Sequence, residues 1–206
     1  FLMNWQQTFL KLCKRPELHA KFLNTLSLME YIGARKIVKS QPEALISKET
    51  LSHMVEEIRH AQIFKKMVLK MDPSLTTYSD EHLLAGDQGR NYLQAIDRGI
   101  EKKLGAGRPW ENYLLSTLLI EERANIVYPF YEKLLEPFGF GGLIRTILRE
   151  EENHLEEIQG QLDSMNLLSP EVMAELRKVE QDAFEEVIRA INDSLVEMVP
   201  EAQPSL

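Results

Sequence analysis

The chain has 206 residues, 44% hydrophobic and 27% charged, with a formal net charge of -8 at pH 7, which is enough to bury one sizeable core and predicts a single domain over 1–206. The acidic balance argues against a nucleic-acid partner, and the short basic runs Lys11, Lys14, Arg15 and Lys65, Lys66, Lys70 read as solvated faces. One cysteine, Cys13, excludes an internal disulfide framework and a Cys-based zinc or rubredoxin-type site, and no apolar run approaches the roughly 20 residues that span a bilayer; a cytoplasmic protein is expected.

The opening segment, Phe1 to Lys14, is interrupted by Asn4, Gln6 and Gln7, so it reads as an amphipathic helix laid against the rest of the chain rather than a signal segment. After Pro16, apolar positions at Phe22, Leu23, Leu26, Met29, Gly33 and Ile37 step by three and four and predict a helix over 17–39, broken at Gln41-Pro42. A second periodic stretch carries Leu51, Met54, Ile58, Ile63, Met67 and Val68 and ends near Met71-Asp72-Pro73. The long connection from Asp72 to Pro109 contains a predicted helix over 88–103, closed by Gly105 and Gly107. A third main helix runs from Trp110 through Leu114, Leu115, Leu118, Leu119 and Ile126 to Leu135, with Pro129 a potential kink. After a turn at 137–142 comes a helix over 143–162. Ser169-Pro170 then caps and starts a last helix bearing Val172, Leu176, Val179, Val187, Ile191 and Leu195. The class is all-α: two helical hairpins joined by a long crossover, with extra helices at each end.

Six residues stand out against this frame. Glu57-x-x-His60 and Glu151-x-x-His154 each set a carboxylate and an imidazole at i and i+3 on a helix, where both can reach one metal ion or two adjacent ones. Each pair is preceded by a Glu on the helix before it, Glu30 in one half and Glu121 in the other. One Glu-x-x-His alone is weak evidence; the repetition is what matters. Glu30 also lies inside an apolar stripe, where an unpaired carboxylate would cost several kcal/mol. Two divalent cations would neutralise converging carboxylates, and four carboxylates with two imidazoles suit iron or manganese better than zinc. Glu122 competes with Glu121, since the leucines before them bring either close to the buried face.

Glu30, Glu57-x-x-His60, Glu121 and Glu151-x-x-His154 resemble the ligand set of the ferritin-like di-iron carboxylate superfamily, over about residues 22–162. Glu56-Glu57-Ile58-Arg59-His60 is similar to the acidic-Glu-x-Arg-His string of its oxygen-activating members. Leu118-Leu119-Ile120-Glu121 looks like the third-helix ligand segment of aldehyde-deformylating oxygenases and tips the choice to Glu121. The resemblance implies a ferritin-like four-helix bundle and a centre of two iron ions, or a manganese-iron pair. It implies an oxidoreductase that activates dioxygen to oxidise a small organic substrate; with no dinucleotide turn or electron-transfer cysteine cluster in the sequence, electrons are expected from a separate donor or from the substrate itself. A rubrerythrin-like peroxidase or ferroxidase, using peroxide or iron without an organic substrate, is the alternative, and a metal-free helical scaffold a third. No membrane partner is expected, and a homodimer is compatible with the amphipathic end helices.

Around these six, Glu56 and Glu150 are placed to accept the free N–H of the opposite histidine, or else are solvated glutamates. His53, four residues before Glu57, is either a partly buried histidine or an extra ligand or proton donor. Gly33 and Ala124 either leave space for oxygen or substrate or allow close helix packing. Tyr128 is core packing or an oxidisable side chain, and the methionines at 29, 54, 67 and 71 fill the core. His19, His82 and Cys13 carry no assigned role.

Overall fold

A computed structural model of the chain describes residues 4–41, 43, 46–165 and 169–197. Among these residues there are seven α-helices and no strand: α1 (Trp5–Leu12), α2 (Pro16–Ser40), α3 (Lys48–Met71), α4 (Gly86–Leu104), α5 (Pro109–Leu135), α6 (Gly141–Ser164) and α7 (Pro170–Glu197). The ends follow from local chemistry. Asn4, Ser47 and Ser169 each accept a hydrogen bond from a free amide of the first turn, those of Gln7, Thr50 and Val172. Prolines 16, 109 and 170 open their helices, where the missing N–H costs nothing. Gly105, at φ 85°, ends α4 in a conformation that disfavours other residues. Pro42 lies outside the described residues, and Pro129 sits within the continuous α5.

Two antiparallel hairpins, α2 with α3 and α5 with α6, meet through α2 against α5 and α3 against α6. The crossover helix α4 pairs with α7 and lies along α2 and α5, while α1 packs on α7, α2 and α5. The loop that leads into α4 is pinned to the first hairpin. Lys65 donates to Asn24 Oδ1 at 2.7 Å and to the carbonyls of Leu75 and Thr77, and Asn24 donates in turn to the carbonyls of Thr77 and His82. Lys65 is therefore half-buried and structural, not part of a solvated basic face. A buried ion pair ties the last helix to α5, and a hydrogen bond to the same carboxylate ties it to the crossover. Arg123 of α5 donates to both oxygens of Glu180 of α7, at 2.8 and 2.6 Å, and Tyr92 of α4 donates to the same carboxylate at 2.8 Å.

Three residues expected inside are outside: Leu51, Ile58 and Ile126 are 50%, 39% and 56% exposed. The inward face of α3 is taken by His53, Glu57, His60, Phe64 and Met67, and that of α5 by Glu121, Tyr128 and Tyr131, so the intervening apolar residues turn to solvent. No helix among the described residues is long and apolar enough to cross a membrane.

Candidate metal centre

All six predicted residues converge between α2, α3, α5 and α6, and His53 joins them. Their donor atoms fall into two groups, His53, Glu57, Glu121 and His154 in one and Glu30, Glu57, His60 and Glu151 in the other, each within 4.8 Å of one another. Glu57 belongs to both. Glu151 straddles them as well, with His60 Nδ1 3.0 Å from one oxygen and His154 Nδ1 3.8 Å from the other. On α5 it is Glu121 that lies within the cluster, 2% exposed, whereas Glu122 forms a two-point ion pair with Arg177 on α7.

The i, i+3 spacing aims each imidazole inward by Nδ1 and leaves Nε2 facing the neighbouring helix. His60 Nε2 lies 2.8 Å from Glu150, and His154 Nε2 lies 2.6 Å from Glu56, a reciprocal exchange between α3 and α6. Arg59 sits between these two outer carboxylates, 2.6 Å from Glu150 and 3.7 Å from Glu56. When each outer Glu accepts the Nε2 proton and the ring is neutral, Nδ1 presents its lone pair to the centre. Tyr128 donates to Glu30 at 3.2 Å. A Cβ on Gly33 would fall 2.8 Å from Glu57 Oε2, so this glycine makes room for a carboxylate, and it also borders the open space beside the centre.

The electrostatics of the metal-free centre are unfavourable. Burial, and then the Glu151 charge, push Glu57 up to about 7, and burial likewise raises Glu30 and Glu121. Burial opposes charge on His60 and His154 too, but the carboxylates beside them, Glu151 for His60 and Glu121 for His154, outweigh it and hold them at about 10 and about 11. For Glu151, burial is outweighed by His154 and His60, which bring it down to about 2. Without cations, protons and imidazolium charges do the neutralising. Even so, His53 Nε2, His60 Nδ1, His154 Nδ1 and both Glu121 oxygens are buried without a hydrogen-bond partner. These orphaned atoms all point at the cluster, where one pair of divalent ions would satisfy them together. The residues fit a two-metal group, and the buried His/Glu cluster is able to hold metal ions.

One side of the centre opens on a cavity of about 610 Å³ between α2, α4 and α5, which touches Glu30, Glu57, Glu121, Glu151 and His53 but not His60 or His154. Leu26, Met29, Ile120 and Ala124 line it next to the carboxylates and also border a smaller apolar chamber of about 90 Å³ walled by Phe9, Phe184 and Val187. At the other end, Lys36 is held by Asp97, by Asn112 at 3.0 Å and by Ser116 at 2.6 Å, which uses all three of its donors. The glutamates at 56 and 150 and the space beside the centre are consistent with the motif. Arg59 stood in the acidic-Glu-x-Arg-His string without a role of its own, and the Glu180 pair was not singled out in the sequence, because its partners lie on distant helices.

No known protein family, curated protein or solved structure gives a match to this chain.

Proposed function

We propose that the chain is a non-haem di-iron oxidase or oxygenase of ferritin-like architecture that oxidises a small organic substrate with dioxygen. The observation that carries this reading is the cavity of about 610 Å³ reaching the carboxylate side of the centre. A peroxidase or ferroxidase needs access only for peroxide or a ferrous ion, whereas a chamber of this size, in the usual range for small-molecule sites, accommodates an organic molecule beside the centre.

Glu30, Glu57, Glu121, Glu151, His60 and His154 would hold the two ions, with iron favoured by the oxygen-rich donor set. Bound iron would supply the reductive activation of dioxygen. The chain does the rest. Glu56 and Glu150 hold the Nε2 protons of His154 and His60 and so fix both rings. Leu26, Met29, Ile120 and Ala124 exclude water from the reacting side. Tyr128 keeps a proton at its hydroxyl, in contact with Glu30, because burial and the Glu30 charge raise its pKa strongly. Electrons would come from a separate donor or from the substrate itself, since the sequence carries no dinucleotide-binding motif and one cysteine.

The test is metal content by elemental analysis after anaerobic ferrous reconstitution, followed by absorption on exposure to oxygen. Two irons per chain with an oxygen-dependent absorption change support the reading. A chain that takes up no stoichiometric iron rules it out.

A further inference from the structure

His53 is the residue the di-metal reading does not require, and its surroundings are specific. On one side, Nδ1 lies 2.6 Å from the Tyr113 hydroxyl. On the other, Nε2 is buried, 3.3 Å from Glu57 Oε1 and 3.6 Å from Glu121 Oε1, with no hydrogen bond to either. The ring centroid is 4.0 Å from that of His154. When Nδ1–H donates to Tyr113, the Nε2 lone pair is directed at two carboxylates. Three acceptors facing one point repel one another unless a proton or a metal cation stands there. An ordinary buried histidine pairs both nitrogens or turns one to an apolar wall, and this ring does neither.

The two donor groups share Glu57 but differ in the rest. One adds Glu121 and two imidazoles, His53 and His154; the other adds Glu30, Glu151 and a single imidazole, His60. Imidazole binds later first-row divalent ions better than carboxylate does, whereas carboxylates suit the harder ions. We propose that His53 is a third imidazole ligand and makes the two metal positions unequal, so that the position bounded by His53 and His154 loads first and more tightly. Tyr113 is then a positioning residue, accepting the Nδ1 proton so that Nε2 is left free for the metal.

The inference rests on the two-metal reading above, and the test separates the two. Metal-free protein is titrated with cobalt(II) under anaerobic conditions, followed by calorimetry and visible absorption. The parent is expected to bind two ions in steps at least about tenfold apart in Kd, a separation of the size that ligand surroundings commonly produce. His53→Ala should remove the tighter step, and Glu30→Ala the weaker. Tyr113→Phe, which keeps the ring packing, should weaken the tighter step by about 10- to 100-fold and leave the other in place. If His53→Ala loses helix content by circular dichroism, Tyr113→Phe decides alone. Two equal steps insensitive to His53→Ala or Tyr113→Phe overturn the inequality while leaving the centre standing. No cobalt uptake by the parent removes both.

Discussion

Gly33 and Ala124 are both small residues beside the cluster, yet they do different work. The hydrogen of Gly33 stands where a methyl group would meet Glu57 Oε2, the far end of a flexible side chain. Gly33→Ala should therefore leave the melting temperature of the metal-free protein nearly unchanged, yet lower metal affinity by about tenfold or more, the scale on which displaced ligands are felt; equilibrium dialysis with cobalt(II) checks this. Ala124 lines the cavity and the apolar chamber next to it. Ala124→Leu should retain two metals per chain but abolish oxidation of an organic substrate, with oxygen consumption without substrate as the control; unchanged turnover would place the substrate elsewhere. His19 supplies the pH dependence. Fully buried beside Tyr131, with its Nε2 2.7 Å from the hydroxyl, it has a pKa pushed down by burial to about 4. Between pH 6.5 and about 4 the unfolded chain binds a proton that folded His19 refuses, so this contribution is intact above pH 6.5 and is lost on acidification, by roughly 3 kcal/mol. Urea midpoints of the parent and His19→Gln at pH 7 and pH 4.5 measure it, and the parent should lose more stability than the variant. At this scale the sequence was readable where the signal is local. Glu-x-x-His shows itself within one turn, and the exchange of Glu56 and Glu150 follows from two such turns facing each other. Glu122, by contrast, is turned away by Arg177, a residue of another helix, and along the chain only the likeness of Leu118-Leu119-Ile120-Glu121 to a known ligand segment favoured Glu121; the surroundings of His53, Tyr113 and His154, lie on other helices and were not visible there.

The order and extent of the helices were largely legible, because Pro, Gly and Ser mark most of the ends and apolar steps of three and four mark the bodies. Orientation was less so. Leu51, Ile58 and Ile126 are exposed because the buried stripes of α3 and α5 contain carboxylates and imidazoles, and a hydrophobic count cannot see a polar residue that is inward-facing. The attachment of α7 also depends on a polar group, Glu180, held by Arg123 and Tyr92 and 4% exposed. Removing one partner leaves a buried charge unpaired. Glu180→Ala should cost about 3–5 kcal/mol in urea denaturation, whereas the exposed pair tested by Lys178→Ala should cost under about 1 kcal/mol. Similar costs for the two would mean that the α7 contact is held by its apolar face alone.

For the whole molecule, the metal-free centre is a concentrated source of instability, with buried donors that lack partners inside an otherwise well-packed core. Cations that bind the folded chain and not the unfolded one would raise its stability with metal concentration, by about 2.7 kcal/mol at a hundredfold excess over Kd. For a chain of this length that corresponds to a rise in melting temperature of about 5 °C or more. Scanning calorimetry with chelator and with excess ferrous ion under anaerobic conditions checks it, and coincident transitions would argue against a folded-state metal site. The wall of the apolar chamber has a different consequence. Every residue of the cluster lies between Glu30 and His154, but Phe184 and Val187, which close the chamber, belong to α7. A ribosome therefore makes all the ligands before it makes the wall that shuts the chamber beside them, and a nascent chain passes through an interval in which that chamber is still unroofed.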